Sequence, residues 1–257
     1  MRAIVLAAGQ GARLRPLTLD KPKCLVPYAG RPIIEHIVTA VRECGIHDIN
    51  LVTGYRADQL DYLGLPTFHN ERFASTNMVH SLFCAEPLLD DDVVISYADI
   101  VYAPRVLESL LASTSDFSVV VDRDWLELWK LRMPDPLADV ETMKVDGKGH
   151  ITELGKKPTG YDDIQGQYIG LIKLSAAAAV AIREHYAALD RTARYDGKDF
   201  DNMYMTSFIQ HVIDELMPAA AVFVSGGWIE IDSVEDLELY EEKSAEIERR
   251  LGGGATA

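Results

Sequence analysis

The segment at residues 4–23, IVLAAGQGARLRPLTLDKPK, restricts the fold more than any other part of the chain. It begins with a short apolar run without charge, which is typical of a buried strand in a parallel sheet. Gly9 and Gly11 then interrupt the run and leave a turn whose backbone N–H groups can point at an anion. Because Pro16 and Pro22 disfavour a long helix directly afterwards, we predict a strand followed by an irregular loop.

The charge of this segment indicates the ligand of the loop. Residues 1–31 carry six Lys and Arg side chains against one acid, Asp20, whereas the whole chain has a net charge of −15. A cationic glycine loop in an acidic protein favours a polyanion, so we predict a phosphate site. The loop lacks the Gly-Lys-Ser/Thr ending of a P-loop, and Leu14 stands where a dinucleotide fingerprint needs its third glycine. A surface loop of solvated charges is the alternative.

The composition argues against several classes of protein. A pI near 4.8 disfavours nucleic acid as a partner, because most of the surface would repel it. No segment approaches the ~20 apolar residues of a transmembrane helix, so no membrane partner is predicted. The three cysteines are far apart and odd in number, which is typical of a reduced cytoplasmic protein.

The order of sequence patterns predicts an α/β fold with a mostly parallel central sheet, since strands and helices alternate. The predicted strands lie at residues 4–6, 49–53, 93–96, 117–121, 168–174, 222–224 and 228–231. The predicted helices lie at 32–44, 58–63, 77–88, 104–113, 176–189 and 203–217, and a last one begins at 233. Residues 122–141 are predicted to be a loop and residues 142–154 a hairpin. Such sheets bind ligands at the carboxyl ends of their strands.

Two local patterns concern the last predicted helix. Ser233 precedes it and Asp236 follows three residues later, which is the spacing of a capping box. Glu246 and Arg250 are four residues apart, so we expect an ion pair along this helix.

The segment LAAGQGARLRPLTLDKPKCLVPYAGRPII resembles the N-terminal pattern of nucleotidyltransferases that join an NTP to a phosphorylated small molecule. That pattern reads L-A-A-G-x-G-x-R-L-x-P-L-T, then P-K-x-L-x-P, then G-x-P-I, and every element is present. Weaker similarity extends to about Glu242. The segments NMVHSL, DRDWLELW, GQYIGL and WIEIDS resemble cytidylyltransferases that act on phosphonates or phosphocholine more than they resemble sugar enzymes.

The resemblance implies a Rossmann-like nucleotidyltransferase (GT-A-like) fold with a small β-rich part that binds the acceptor. We predict one domain over residues 1–251, with a nucleotide-binding half at 1–121 and an acceptor-binding half at 122–232. Residues 233–251 are predicted to form a C-terminal helix, and residues 252–257 a disordered tail.

The resemblance also assigns roles to cations. Arg13 matches the position that grips the β- and γ-phosphates, and Lys23 matches the lysine that neutralises the transferred α-phosphate and the incoming nucleophile. Lys157 matches a lysine that holds the acceptor's phosphate in the sugar branch. Lys156 replaces the acid that precedes it there, which disfavours a sugar and favours a dianionic phosphonate or phosphate. Solvated lysines on a hairpin are the alternative.

Three acids are predicted to hold Mg²⁺, a cation that prefers carboxylate oxygens. Asp99 follows a predicted strand directly and matches the aspartate that ends this strand in the family. Glu230 and Asp232 are two apart on a strand, so they share one face, where a cation would relieve their repulsion. Tyr97 stands where choline-phosphate enzymes often have another aspartate, which leaves the number of ligands open. For Asp99 the alternative is a structural aspartate in a turn. For Glu230 and Asp232 the alternative is a pair of solvated acids at the edge of a strand.

The resemblance implies that the base contacts the glycine loop and the helix that begins at Asn77. The predicted nucleotide-binding residues are Leu6, Ala7, Ala8, Gly9, Gln10, Gly11, Arg13, Gly54, Asn77 and Ser81. The alternative for Asn77 is that it only caps the N-terminus of its helix and does not contact the base.

The acceptor's tail is predicted to contact aromatic and acidic side chains, which together suit a small organic cation. The predicted acceptor-binding residues are Trp125, Lys156, Lys157, Tyr168, Asp201 and Tyr204. Trp125 lies four residues before Trp129, so a core stripe is an equal alternative for it.

These patterns predict a Mg²⁺-dependent enzyme that transfers CMP from CTP to a small phosphonate, such as 2-hydroxyethyl- or 2-aminoethylphosphonate, and releases pyrophosphate. The alternatives are a phosphocholine cytidylyltransferase, a sugar-1-phosphate nucleotidyltransferase and a non-catalytic nucleotide-sensing subunit. The sequence does not determine whether the protein forms a homodimer.

Overall fold

The computed structural model describes residues 1–252, in which strands and helices alternate; the predicted tail lies outside them except for Gly252. The strands are β1 (Arg2–Ala7), β2 (Pro27–Tyr28), β3 (Arg31–Pro32), β4 (Ile49–Thr53), β5 (Thr67–His69), β6 (Val93–Tyr97), β7 (Ile100–Tyr102), β8 (Phe117–Asp122), β9 (Met143–Val145), β10 (Ile151–Leu154), β11 (Gln167–Leu174), β12 (Ala220–Val224) and β13 (Trp228–Glu230). The helices are α1 (Ile33–Glu43), α2 (Met78–Cys84), α3 (Pro104–Leu111), α4 (Trp125–Arg132), α5 (Ala176–Ala188), α6 (Met205–Glu215), α7 (Val234–Glu242) and α8 (Ser244–Leu251). No helix among these residues combines the length and the apolar character that a membrane span requires.

Strand β1 lies inside a seven-stranded sheet with the order β12-β8-β11-β6-β1-β4-β5. Neighbouring strands are parallel except at β11, which runs antiparallel to β6 and to β8. The predicted α/β fold with a mostly parallel sheet is confirmed. Because β1, β4 and β6 run in the same direction, their carboxyl ends meet at one edge of the sheet.

Both faces of β1 are buried, which explains its uninterrupted apolar run. Ala3, Val5 and Ala7 face a core shared with α1 and α3, whereas Ile4 and Leu6 face a second core shared with α2, α5 and α6. Burying one Ile or Leu side chain contributes ~1.5–3 kcal/mol. The strand is therefore firmly anchored on both sides at the point where the glycine loop begins.

A two-stranded sheet brings a late part of the chain to the carboxyl end of β6. Strand β13 pairs antiparallel with β7, with Glu230 opposite Ile100. Just beyond this pair, the N–H of Ile231 donates to the carbonyl of Asp99 at 2.8 Å. Residues 230–232 consequently lie beside Asp99.

Several local predictions are confirmed. Strands β9 and β10 form the antiparallel hairpin predicted at 142–154, and Ser233 and Asp236 form both hydrogen bonds of a capping box at α7. The proline-containing loop after β1 forms only short 3₁₀ turns. The helix predicted at 58–63 is likewise a 3₁₀ turn, Ala57–Leu63.

The prediction of a loop at 122–141 is wrong, because this segment contains α4. Trp125, Leu128 and Trp129 are its buried residues, and they have the i, i+3, i+4 spacing of an amphipathic helix. Two prolines nearby, Pro134 and Pro136, follow the helix instead of preventing it. The predicted acceptor-binding half therefore contains α4 in addition to the two helices predicted there, α5 and α6.

The prediction of one long C-terminal helix with a Glu246–Arg250 ion pair is also wrong. The chain forms two helices, α7 and α8, which are separated at Lys243. Arg250 instead binds Asp122, a fully buried carboxylate at the end of β8, and Glu246 lies 3.8 Å from Lys243. A buried carboxylate requires a cation far more than a solvated glutamate does, which decides the partner of Arg250.

We expect Arg250→Met to lower the free energy of unfolding by about 3–5 kcal/mol, because it leaves Asp122 buried without its cation. Urea unfolding followed by circular dichroism measures this effect. The matched control is Arg249→Met in the same turn, since Arg249 is exposed and donates only within its own helix. Equal losses in the two variants would contradict a structural role for the buried pair.

Candidate active site

The glycine loop closes on Lys23 through a tight backbone contact. Gly11 has φ +63°, and a Cβ atom there would lie 2.8 Å from the Cβ of Lys23. The hydroxyl of Thr18 donates to the carbonyl of Gly11 at 2.7 Å, and the side chain of Leu14 is fully buried. Only glycine fits at this position, both for its conformation and for its contact with Lys23.

Gly54, at the carboxyl end of β4, packs closely against the start of the glycine loop. A Cβ atom there would lie 2.6 Å from the Cβ of Phe73 and 2.8 Å from the carbonyl oxygen of Ala8. The N–H of Tyr55 donates to the same carbonyl at 3.2 Å. The backbone of Ala8 is therefore fixed where β1 ends.

A first cavity of about 300 Å³ lies between the glycine loop and the start of α2. Most of the residues predicted to bind the nucleotide line it: Leu6, Ala7, Ala8, Gly9, Gly11, Arg13, Asn77 and Ser81. Lys23, Asp99 and Asp232 also line it, whereas Gln10 and Gly54 do not.

Asn70 organises the polar wall of this first cavity, although the sequence did not single it out. Its side-chain amide is almost fully buried and donates to Ser81 at 2.9 Å and to Thr76 at 3.0 Å. Asn77 caps α2 by accepting the N–H of Met78 at 2.8 Å, yet it lines the cavity as well. The position of Asn70 directly after β5, at a strand's carboxyl end, is the signal that could have indicated it.

Lys23 lies between two carboxylates at the floor of the first cavity. Its ammonium donates to Asp99 at 2.8 Å and to Asp232 at 2.7 Å, and the second oxygen of Asp232 pairs with Arg13. Burial alone lowers the pKa of Lys23, but the two carboxylates more than offset this and raise it. Lys23, Arg13, Asp99 and Asp232 therefore form a charged cluster in which the lysine stays protonated.

Two carboxylates of the charged cluster fit a divalent cation. Oδ1 of Asp99 is buried and has no hydrogen-bond partner within residues 1–252, so a hard oxygen is free to bind an ion. Asp232 lies near enough for one ammonium to contact both carboxylates. Mg²⁺ is usually bound by one or two carboxylates together with substrate phosphates, and two are present here.

Glu230, the third predicted metal ligand, has an arginine as its partner. Its carboxylate accepts a hydrogen bond from Arg132 at 2.6 Å, and no three His, Cys, Asp or Glu side chains in the described part of the chain converge as a metal site. Burial raises the pKa of Glu230, although Arg132 opposes the shift. The structure therefore shows Arg132 as the partner of Glu230, and the role of Glu230 as a third metal ligand stays a prediction.

A second cavity of about 230 Å³ adjoins the first. Arg13, Met78, Tyr97 and Asp232 line both cavities, so the two spaces meet at the charged cluster. Two ligands bound in these cavities would contact each other beside Lys23. The arrangement suits the joining of two anions, which depends on positioning and charge neutralisation.

The second cavity is aromatic and acidic. Its aromatic lining is Tyr97, Trp129, Tyr168, Tyr204 and Trp228, and its acidic lining is Asp139, Glu141, Glu230 and Asp232. Trp129 donates to Asp139 at 3.0 Å, and burial raises the pKa of Glu141. The hydroxyl of Tyr168 is buried without a partner among residues 1–252.

Two of the residues predicted to bind the acceptor, Tyr168 and Tyr204, line this second cavity. Trp125 does not, because it is buried between the rings of Trp129 and Tyr161, with centroids 6.0 and 6.2 Å away. The core alternative therefore describes its position.

Asp201 does not line the second cavity either. Its carboxylate pairs with Arg72, and its carbonyl accepts the N–H of Asn77 at 2.9 Å. It holds the start of α2 in place.

The two hairpin lysines lie away from both cavities, which corrects their predicted contact with the acceptor. The ammonium of Lys157 donates to the carbonyls of Leu137 and Ala138, where a 3₁₀ turn leaves them unpaired. Lys156 is mostly exposed and lies 3.8 Å from Glu153. Both therefore match the alternative of structural or solvated lysines.

The comparisons with known proteins agree with this geometry. Residues 3–152 match the family described as the MobA-like NTP transferase domain. The chain belongs to this family. A CTP:phosphoglutamine cytidylyltransferase of Campylobacter jejuni is 44% identical over 95% of this chain and 100% of its own length. The chain is therefore a CTP-dependent cytidylyltransferase, as the sequence predicted.

Two further relatives differ in their acceptors. The CMP-5'-(3-aminopropyl)phosphonate synthase of Streptomyces rubellomurinus is 34% identical over 48% of this chain and 21% of its own length. The solved structure of a CTP:phosphocholine cytidylyltransferase from Streptococcus pneumoniae superposes with a TM-score of 0.71 at 24% identity, over 95% of this chain and 98% of that one. This likeness shows the fold, and nucleotidyltransferases of this family typically use a divalent metal ion.

Proposed function

We propose that this enzyme transfers CMP from CTP to a small phosphorylated acceptor that carries an ammonium group. An oxygen of the acceptor's phosphoryl group attacks the α-phosphorus of CTP and forms the new P–O bond. The bond between the α-phosphorus and the bridging oxygen breaks, and pyrophosphate leaves. The observation that carries this proposal is the meeting of two cavities at the charged cluster, one with a glycine loop and one with aromatic and acidic walls.

The charged cluster supplies the catalytic groups in this proposal. The ammonium of Lys23 neutralises charge on the α-phosphate and on the attacking oxygen, and Arg13 binds the outer phosphates from the loop. Asp99 and Asp232 would hold Mg²⁺, which supplies further neutralisation of the triphosphate. Preorganised charges of this kind act without reorganisation at the moment of reaction.

Phosphoglutamine is the first candidate acceptor. The relative that is 44% identical over its entire length is a phosphoglutamine cytidylyltransferase, and a glutamine tail offers an ammonium to Asp139 and Glu141 and to the aromatic rings. Aminoalkylphosphonates, such as 2-aminoethylphosphonate, are the second candidate, supported by the same walls and by the aminopropylphosphonate relative. 2-Hydroxyethylphosphonate has no cationic group that could contact Asp139 and Glu141. We therefore expect it to be a poorer acceptor than the other two candidates.

A pyrophosphate-release assay with a panel of substrates tests the proposal. We expect CTP to exceed UTP and dTTP, and phosphoglutamine to exceed 2-aminoethylphosphonate, phosphocholine, 2-hydroxyethylphosphonate and glucose-1-phosphate in that order. Faster turnover of glucose-1-phosphate with UTP or dTTP would instead assign the enzyme to the sugar nucleotides. Absence of turnover with every acceptor would contradict the proposed class of acceptor.

With the ammonium-bearing acceptor 2-aminoethylphosphonate, we expect Glu141→Gln to raise KM about tenfold, the scale of one charged contact. The physical reason is that Glu141 lines the second cavity and would lose its attraction for the ammonium. The matched control acceptor is 2-hydroxyethylphosphonate, because it differs only at the tail. Equal increases of KM for the two acceptors would contradict an ammonium site at Glu141.

We also infer a cytoplasmic location. All three cysteines are free thiols, as a reducing compartment allows. Cell fractionation followed by immunodetection tests this location, and recovery of the protein outside the cytoplasmic fraction would contradict it.

A further inference from the structure

Arg132 is a buried arginine that connects two acids, Asp236 and Glu230, behind the charged cluster. It is the last residue of α4, and its side chain is only 5% exposed. Its Nε and Nη2 donate to the two oxygens of Asp236 at 2.8 and 3.0 Å, and its Nη1 donates to Glu230 at 2.6 Å. A guanidinium that binds one carboxylate with two parallel bonds holds it in a single orientation.

Asp236 transmits this orientation to the charged cluster. Its Oδ2 accepts the backbone N–H of Asp232 at 2.9 Å and that of Ser233 at 3.0 Å. Asp232 in turn contacts Lys23 and Arg13 through its side chain. One continuous series of hydrogen bonds therefore runs from Arg132 through Asp236 to the point where the two cavities meet.

Glu230 gives Arg132 a second connection to the same segment. It lies two residues before Asp232, and its backbone carbonyl accepts the hydroxyl of Tyr240 at 2.7 Å. Its side chain lines the second cavity, while its carboxylate is bound by Arg132. Both ends of the segment 230–232 are thus fixed by groups that line neither cavity.

We propose that Arg132 is a positioning residue for catalysis, which holds Asp232 toward Lys23 and Arg13 through Asp236 and Glu230. Arg132 lines neither cavity, so it acts only through the residues it binds. The proposal rests on the proposed transfer reaction, in which the acceptor and the α-phosphate meet beside Asp232. A displacement of about 1 Å at such a point can reduce turnover ~10²-fold.

Arg132→Lys tests this role, because it keeps the positive charge but cannot form the parallel pair of bonds. We expect kcat to fall about 10²-fold while the KM for CTP changes less than threefold. The matched control is Arg250→Lys, which changes another buried arginine bound to an aspartate; Arg250 lines neither cavity and has no hydrogen bond to the charged cluster, although its Nε donates to the carbonyl of Trp228. We expect both variants to lose a similar amount of thermal stability, and only Arg132→Lys to lose turnover.

A double-mutant cycle with Asp236→Asn separates positioning from general destabilisation. If the two residues act as one unit, the double variant should lose no more kcat than the more affected single variant. A crystal structure of Arg132→Lys should show the carboxylate of Asp232 displaced from Lys23 with the central sheet unchanged. This readout is independent of the acceptor, so it stands even if the substrate panel overturns the proposed function. Wild-type kcat in folded Arg132→Lys, or an undisplaced Asp232, would overturn the proposal.

Discussion

Lys23→Ala is expected to lower kcat/KM by a factor of about 10²–10³, the scale of losing one preorganised charge partner of the transition state. Lys23 has the ammonium that lies between Asp99 and Asp232, so its removal leaves two carboxylates facing the site where two more anions must meet. Repulsion then opposes both nucleotide binding and attack. Steady-state pyrophosphate release measures the effect.

Lys21→Ala is the matched control for Lys23→Ala. Lys21 belongs to the same basic loop but lines neither cavity. We expect the activity of the Lys21→Ala variant to stay within a few-fold of the wild type, because Lys21 contacts neither ligand in the proposed reaction. Near-wild-type turnover of a correctly folded Lys23→Ala variant would remove Lys23 from the mechanism.

Asp99→Asn is expected to lower activity at least ~10²-fold and to raise the Mg²⁺ concentration needed for half-maximal rate, with a much smaller effect on thermal stability. The amide retains the shape of the side chain but replaces a carboxylate whose buried Oδ1 has no protein partner within residues 1–252. Titration of the activity with Mg²⁺ and thermal unfolding of the same samples measure the two effects separately.

Glu230→Gln distinguishes the ligand set that the sequence suggested from the one that the structure supports. Glu230 is bound by Arg132. We therefore expect Glu230→Gln to change the Mg²⁺ concentration for half-maximal rate less than Asp99→Asn does. Equal shifts in the two variants would restore Glu230 as a metal ligand. If Asp99→Asn unfolds the protein while its folded fraction keeps full activity, the carboxylate of Asp99 is structural.

Features with contacts between near neighbours in sequence could be predicted from the sequence. The apolar run of β1 predicted its burial on both faces, and the spacing of Ser233 and Asp236 predicted the capping box. Turn residues predicted the β9–β10 hairpin. The capping box and the hairpin join residues that are near in sequence, and the apolar run of β1 indicates burial whichever elements cover it, so the local pattern contains most of the information.

The sequence predicted less well where a residue's partner was distant. Helix α4 was missed although its three buried residues have helical spacing, because the nearby prolines suggested a loop. Arg250 was paired with its helical neighbour Glu246, but it binds Asp122, 128 positions earlier. Lys156 and Lys157 were assigned to the acceptor from a motif, but they line neither cavity: Lys157 binds the carbonyl of Leu137, 20 positions earlier, and Lys156 lies near Glu153.

The chemistry of the candidate site was largely determined by the sequence, because the motif at residues 4–23 specifies a glycine loop, an arginine and a lysine for a phosphate ligand. Its geometry was decided only by tertiary structure. Lys23 meets Asp99 and Asp232 across 76 and 209 positions, since the pairing of β13 with β7 brings residues 230–232 to the end of β6. The same topology assigns Glu230 to Arg132, 98 positions away. Residue spacing specifies which side chains share a face of one strand, but the ion pairs of a buried carboxylate depend on which other elements pack against it.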